Sequence, residues 1–375
     1  MVLVGGWMVG CASPAMAAPA WPPPPAVDAQ AAVLIDARTG AVLYEKQAFR
    51  QMDPASLTKM MTALLVIRHG DLEREVTISA QAARTEGSRL RIAPGERYTV
   101  LDLLRGLLLR SGNDAAVALA EAEAGSVRRF VAEMNVEAQR LGAFNTQYEN
   151  PHGLTAPGHF STAYDLALIA RTALNQPLFR EIVAQRSLTI QERSRGRTRT
   201  VHNTNLLLEA FPGADGIKTG TTSAAGKCLA ASATRNGQQL IAVVLKSPDR
   251  WGDAARLLAW GFDHWQERQV VAAGQAFGQV AVQGGVTPTV TAVAAHSLWA
   301  VYPSDYPSEV HPWLQPAVPA PVRAGATLGR VVVLSPVEPA QSTALTAKTA
   351  VPRLAWWKRW LAGFLGFFNY QDGAA

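Results

Sequence analysis

Asp53-Pro54-Ala55-Ser56-Leu57-Thr58-Lys59-Met60-Met61 opens a segment that stays apolar through Leu64 and Leu65. Asp is a favoured N-cap and Pro a favoured first helical residue, so the stretch predicts a helix with Ser56 in its first turn. Unpaired N–H groups and the positive end of the helix dipole at that point favour an anion, which suits a serine that becomes an acyl-oxyanion centre. Lys59, three residues on, shares its face. A serine hydroxyl needs a base, yet a free Lys, with a pKa of about 10.4, is protonated at neutral pH. Lowering it to roughly 7 or 8, worth about 3 to 5 kcal/mol, takes burial and a second cation, for which Lys218 is a candidate. Ser-x-x-Lys arises by chance about once in a chain of this size, so distant partners must strengthen the reading.

Two partners stand further along. Leu103 to Leu109 reads as an apolar helix that stops at Ser111-Gly112-Asn113, with the next helical pattern running from Ala115 to Ala124. From an interhelical turn the Ser111 hydroxyl can shuttle a proton between the lysine and a leaving amine. The Asn113 carboxamide can bond both the lysine and a substrate amide. Asp215-Gly216-Ile217-Lys218-Thr219-Gly220-Thr221-Thr222 reads as a strand with glycines where another backbone approaches. Lys218 and Thr219 can bind a terminal carboxylate, Gly220 leaves room for a peptide to pair with the strand, and the Thr221 N–H can face an oxyanion. Taken singly, each pattern also fits a capping turn or an exposed edge strand.

Taken together, Ser56-x-x-Lys59, Ser111-Gly112-Asn113 and Lys218-Thr219-Gly220 resemble the three active-site motifs of penicillin-binding proteins and serine β-lactamases. The longer stretches 55–62, 111–115, 215–222, Ala225-Gly226, Asn150-Pro151-His152-Gly153-Leu154 and Ser161-Thr162-Ala163-Tyr164-Asp165 look like the D-alanyl-D-alanine carboxypeptidases of low molecular mass. The resemblance implies an α/β (α+β type) transpeptidase-like fold over residues 28–266, an antiparallel sheet with a helical part. It also implies serine carboxypeptidase chemistry on cell-wall stem peptides, with covalent capture of β-lactam antibiotics. On that reading Ser56, Lys59, Ser111 and Asn113 are catalytic, and Lys218, Thr219, Gly220 and Thr221 bind substrate. The segment around His152 corresponds to a loop over the active-site floor. A β-lactamase would need a deacylating glutamate, for which there is no convincing counterpart. An endopeptidase of the same fold and a catalytically silent wall-binding scaffold remain the alternatives.

Other strand signals agree. Val33 to Asp36 and Ala41 to Glu45 flank Thr39-Gly40, and Leu229 to Thr234 and Gln239 to Leu245 flank Asn236-Gly237, a strong hairpin signal. A helix between Trp251 and Trp265 should pack behind this sheet. Residues 267–336, rich in Val, Gly and Pro with short alternating runs, read as a small all-β domain, and 337–351 as a polar linker.

The 375 residues carry a formal charge of +6, with cations spread along the chain and a denser run from Arg186 to Arg199. That run lacks interleaved aromatics and reads as a solvated β-hairpin, not as a nucleic-acid platform. The histidines show no metal-ligand spacing and the two cysteines no disulfide framework, so neither metal nor cofactor is expected. Residues 1–17 are uncharged and end in Ala15-Met16-Ala17, the pattern of a signal peptide, which implies export. Met8-Val9-Gly10-Cys11 also resembles a lipoprotein box, and both readings stay open. Residues 18–27 form a Pro-rich linker. At 352–371, Trp356, Trp357, Trp360, Leu361, Phe364, Leu365, Phe367 and Phe368 share one helical face, opposite Lys358 and Arg359. The stretch is too short to span about 30 Å of hydrocarbon, so it reads as an amphipathic helix lying on the outer face of the cytoplasmic membrane.

Overall fold

The structure, a computed structural model, describes residues 22–355. The signal peptide, the start of the Pro-rich linker and the aromatic segment from Trp356 onward lie outside the described residues. The chain opens with the hairpin β1 (Ala31–Asp36) and β2 (Val42–Lys46), then enters a 3-10 turn (Ala55–Thr58) and α1 (Lys59–His69). A short ribbon pairs β3 (Glu75–Thr77) with β4 (Arg97–Thr99), bracketing α2 (Ala80–Arg84). Then follow α3 (Val100–Leu109), α4 (Asn113–Ala124), α5 (Val127–Arg140), α6 (Ala163–Leu174) and α7 (Pro177–Val183). The basic run forms the hairpin β5 (Ser187–Glu192) and β6 (Arg197–His202), largely exposed as its composition implies. After α8 (Leu207–Ala210) come β7 (Ala214–Thr222), β8 (Gly226–Arg235), β9 (Gln238–Leu245) and α9 (Arg250–His264).

The central sheet is antiparallel, in the order β2-β1-β9-β8-β7. Asn236 and Gly237, with φ of 51° and 83°, make the tight turn between β8 and β9 that the Asn-Gly pair predicts. Central strands are apolar on both faces because both are covered. One core packs Val33, Ile35, Ile241 and Val243 against α1, α3, α4 and α6. The other packs Leu34, Leu229, Leu240 and Val244 against Leu257 and Leu258 of α9. Phe130, Met134, Leu107 and Leu119 are fully buried in the helical layer, each contributing about 1.5–3 kcal/mol of burial. Side chains of Ser79, Thr99, Ser126, Thr162 and Asp249 accept N–H groups three residues on and cap their helices.

The β domain begins with β10 (Trp265–Val271) and continues through β11 (Ala276–Gln283), β12 (Thr289–Ala294), β13 (Leu298–Pro303), β14 (Glu309–Leu314), β15 (Ala317–Pro319), β16 (Thr327–Ser335) and β17 (Glu338–Ala347). Six of these form a sheet in the order β14-β16-β17-β12-β11-β15, while β10 pairs with β13. The expected linker at 337–351 is corrected here: most of it is β17, bonded to both β16 and β12. Its inward residues are Thr343, Leu345 and Ala347, so small and polar side chains alternate where a hydrophobic run would have signalled a strand. The expected helix start is corrected as well, because Arg353 forms a β-bridge with Gly285. The two domains meet at a packed joint, where Arg38 pairs with Glu267 and stacks 4.3 Å over Trp299.

Candidate active site

Ser56 lies in the 3-10 turn that precedes α1, and its side chain is half-buried. The sequence reading needs one change: the helix is not capped by Asp53, and no side chain caps the turn. Ala55 has a left-handed φ of 48°, and tertiary contacts replace the cap. Thr58 Oγ1 donates to Ala55 O at 2.9 Å and meets His159 Nε2 at 3.0 Å. Gly153, at φ 90°, presses so close that a Cβ there would stand 1.8 Å from Ala55 O. Only glycine fits that crossing.

Lys59 begins α1 and is fully buried. Its Nζ lies 2.9 Å from Ser56 Oγ, 2.7 Å from Asn113 Oδ1 and 2.7 Å from His152 O. Burial, and next the charge of Lys218, hold its pKa well below the usual lysine range, against a smaller opposing pull from Asp114. In the neutral amine two N–H bonds serve the two carbonyl oxygens, which leaves the lone pair directed at the serine hydroxyl. That is the geometry of a general base.

Ser111 occupies the turn between α3 and α4 as the sequence predicts, whereas Asn113 is already the first residue of α4. Ser111 has a φ of 65°, and its buried hydroxyl has no hydrogen-bond partner among the described residues. Asn113 is fixed at both ends of its side-chain amide, Oδ1 accepting from Lys59 and Nδ2 donating to Glu86 O at 2.6 Å, and its backbone N–H donates to Ser88 O at 2.7 Å. Asp114 holds the same loop by accepting the N–H groups of Leu90 and Arg91 at 2.9 and 2.8 Å. These bonds hold the carboxamide toward Lys59.

β7 is one of the two edge strands of the sheet and runs against the Ser56 turn. A Cβ on Gly220 would lie 3.1 Å from Ser56 N and 3.2 Å from Pro54 O. Lys218 is buried and donates to Thr219 O at 2.9 Å. Burial first, then Arg250, lower its pKa to about 7. Thr219 Oγ1 meets Thr204 Oγ1 at 2.7 Å, and Asn205 Nδ2 donates to Gly216 O at 2.8 Å, so the 203–205 loop braces the strand. Thr222 Oγ1 reaches Thr155 Oγ1 of the opposite loop at 3.2 Å. Asn150 Oδ1 shapes that loop by accepting the N–H groups of His152 and Gly153. Burial, then Lys59, push the pKa of His152 down to about 3, so its ring is neutral and its carbonyl, not its imidazole, serves the lysine.

Of the eight residues expected from sequence, Lys59 contacts Ser56 and Asn113 directly, Gly220 packs on the Ser56 backbone, and Lys218 lies close enough to act on Lys59. One further group escaped that reading. Arg250 Nη1 donates to Gly220 O at 2.9 Å and to Thr221 Oγ1 at 2.8 Å, placing a guanidinium beside the strand that a substrate would pair with. Its position offered a signal, since a cation in the first turn of a helix opposes the dipole and needs another purpose. Among the described residues no cluster of His, Cys, Asp and Glu could hold a metal ion.

Comparison with known proteins supplies a context for this cleft. Residues 18–249 match the sequence profile of the D-alanyl-D-alanine carboxypeptidase family. The D-alanyl-D-alanine carboxypeptidase DacF of Bacillus subtilis is 32% identical over 359 residues, 92% of this chain and 90% of its own. DacD of Salmonella typhimurium is 39% identical over 309 residues, 78% of each chain. The crystal structure of penicillin binding protein 5 from Haemophilus influenzae superposes with a TM-score of 0.74 at 32% identity, across 88% of this chain and 99% of that one.

Proposed function

The chain belongs to the D-alanyl-D-alanine carboxypeptidase family, and from that membership we propose that Ser56 carries the acyl group in a two-step hydrolysis of cell-wall stem peptides. The enzyme is a serine peptidase of the low-molecular-mass penicillin-binding type. The observation that carries the assignment of roles is the 2.9 Å contact between Lys59 Nζ and Ser56 Oγ, made by a lysine whose ammonium form is disfavoured.

Neutral Lys59 takes the Ser56 proton as Oγ bonds to the carbonyl carbon of the penultimate D-alanine. The N–H groups of Ser56 and Thr221 receive the oxyanion, each worth about 2.7 to 4 kcal/mol. The C–N bond then breaks, and the proton passes through the Ser111 hydroxyl to the amine of the departing D-alanine. Asn113 holds Lys59 and the substrate amide. Lys218 and Thr219 receive the terminal carboxylate, and Arg250 orients the Gly220 carbonyl beside it. Water then attacks the ester and restores the hydroxyl. A β-lactam enters the same first step, but its opened ring stays attached and leaves a covalent adduct.

The leader pattern at 1–17 supports export. The aromatic face of 352–371 supports attachment to the outer surface of the cytoplasmic membrane, with the β domain between membrane and cleft. The test is covalent labelling by a fluorescent penicillin together with D-alanine release from a stem peptide. The wild type gains label at Ser56 and releases D-alanine, whereas Ser56→Ala does neither. Label on Ser56→Ala, or rapid sustained penicillin turnover by the wild type, would overturn the assignment.

A further inference from the structure

Charge is sorted along the length of the β domain. Residues 267–355 contain four acids, Glu267, Asp305, Glu309 and Glu338. All four sit toward the catalytic domain. Glu267 pairs with Arg38, Glu338 accepts the Val301 N–H beside the β16–β17 turn, and Glu309 pairs across from Leu334 at that same end. Asp305 follows Ser304, whose N–H bonds to His264 O.

The opposite end is built from three stretches, 284–288, 320–326 and 348–354, that hydrogen-bond to one another. Val286 N donates to Pro352 O at 2.9 Å, Val322 and Val351 exchange bonds at 2.9 and 2.8 Å, and Leu354 N donates to Gly284 O at 2.8 Å. These stretches carry Arg323, Lys348 and Arg353, all exposed, and no acid. Arg323 and Lys348 have no carboxylate partner among the described residues. Two large apolar side chains accompany them: Val286 is 56% exposed and Trp313, at the end of β14 and opposite Arg330, is 57% exposed. From this end the chain runs directly into Trp356-Trp357-Lys358-Arg359-Trp360.

We propose that this tip is a second membrane-contact surface that seats on the headgroups of an anionic bilayer next to the tail. The inference rests on the reading of 352–371 as a membrane-surface segment and adds to it a function for the folded domain. A tail alone is a tether that leaves the domain free to tumble. Once the tail is bound, however, the tip is presented to the surface at high effective concentration, so modest attraction suffices to orient it. Each cation within a Debye length of an anionic leaflet strengthens partition about 5-fold. Exposed Val286 and Trp313 match the interfacial layer, where apolar side chains with polar neighbours settle. With the tip seated, the ten residues of β17 set a standoff of about 33 Å between lipid and catalytic domain.

The test measures partition of the full chain onto vesicles of phosphatidylcholine with and without phosphatidylglycerol. Three proteins are compared: wild type, Arg323→Gln/Lys348→Gln, and Trp356→Ser/Trp357→Ser/Trp360→Ser. A fluorophore on Val286→Cys, in a Cys11→Ser background, reports contact with nitroxide-headgroup lipid. The Arg323→Gln/Lys348→Gln variant should bind anionic vesicles about 25-fold more weakly and neutral vesicles equally. Its D-alanine release from a soluble peptide should be unchanged, and the Val286→Cys label should be quenched. If that variant partitions like the wild type and the label is unquenched while the tail variant fails to bind, the tip is overturned and the tail reading stands. If the tail variant partitions normally while the tip variant loses affinity, the tail reading falls and the tip survives. Preference for a soluble polyanion over vesicles overturns the membrane assignment of the tip.

Discussion

Replacing Gly220 with alanine puts one methyl group into the seam between β7 and the turn that bears Ser56. The added carbon would meet Ala55 Cβ at 3.1 Å, Ser56 N at 3.1 Å and Pro54 O at 3.2 Å, each closer than ordinary contact. Two of the three are backbone atoms, so no flexible side chain can relieve the crowding, and the neighbours must part by a few tenths of an ångström. β7 is an edge strand bonded only to β8, so it can yield outward. Overpacking of this kind costs about 1 kcal/mol where relaxation is easy, which lowers Tm by about 2–4 °C. The separation falls between the two N–H groups proposed to share the oxyanion. Removing one such donor outright slows a reaction about 10²- to 10³-fold, so weakening both in part should cost about 10- to 30-fold. The second-order rate of acylation by a fluorescent penicillin measures this, with kcat/KM for D-alanine release and a thermal melt alongside. Acylation within twofold of the wild type, with Tm lowered, would refute the claim that this seam is part of the reaction centre.

Two further variants separate chemistry from stability. Ser111→Ala removes a buried hydroxyl that has no hydrogen-bond partner among the described residues, so Tm should hold or rise slightly while D-alanine release falls about 10²-fold; a matching fall in Tm and activity would contradict the proton-shuttle role. Lys218→Met tests the cost of burying a cation whose folded pKa, about 7, lies below the usual lysine value: between about pH 7 and 10.5 the unfolded chain holds a proton that the folded one lacks, so wild-type stability rises with pH across that window. The variant should therefore gain about 2 kcal/mol at pH 6, less at pH 9.5, and lose acylation; an equal Tm difference at both pH values would disprove the linkage.

Much of this site could be read from the sequence because each motif depends on local grammar. The Ser111-Gly112-Asn113 turn is marked by where an apolar helix stops, and the β8–β9 hairpin by Asn236-Gly237. The misreadings share a different cause. β17 is held by ladder bonds to β16 and β12 while burying only Thr343, Leu345 and Ala347, so its hydropathy resembles that of a linker. The start of the Ser56 turn is set by Gly153 pressing on Ala55 and His159 meeting Thr58, contacts from distant stretches of chain that no capping rule encodes. Arg250 was missed because its partners, Gly220 and Thr221, are neighbours only after α9 and β7 have folded.

Several groups unfavourable to folding stand close to the proposed reacting atoms. Ala55 and Ser111 hold left-handed backbone, Lys59 and Lys218 are buried lysines, and the Ser111 hydroxyl is buried with no hydrogen-bond partner among the described residues. Left-handed non-glycine backbone costs about 1–3 kcal/mol per residue, and a desolvated lysine can cost more. Such features persist only where surrounding structure over-determines them. Here the supports come from separate elements: the Glu86–Arg91 loop clamps Asn113 and Asp114, the Asn150–Leu154 loop pins Ala55, and Thr204 with Asn205 braces β7. The supports thus come from three separate stretches of chain, so loosening one leaves the other two in place. That arrangement accounts for lysines kept in a state that solution chemistry disfavours, and for a serine whose hydroxyl already faces its base.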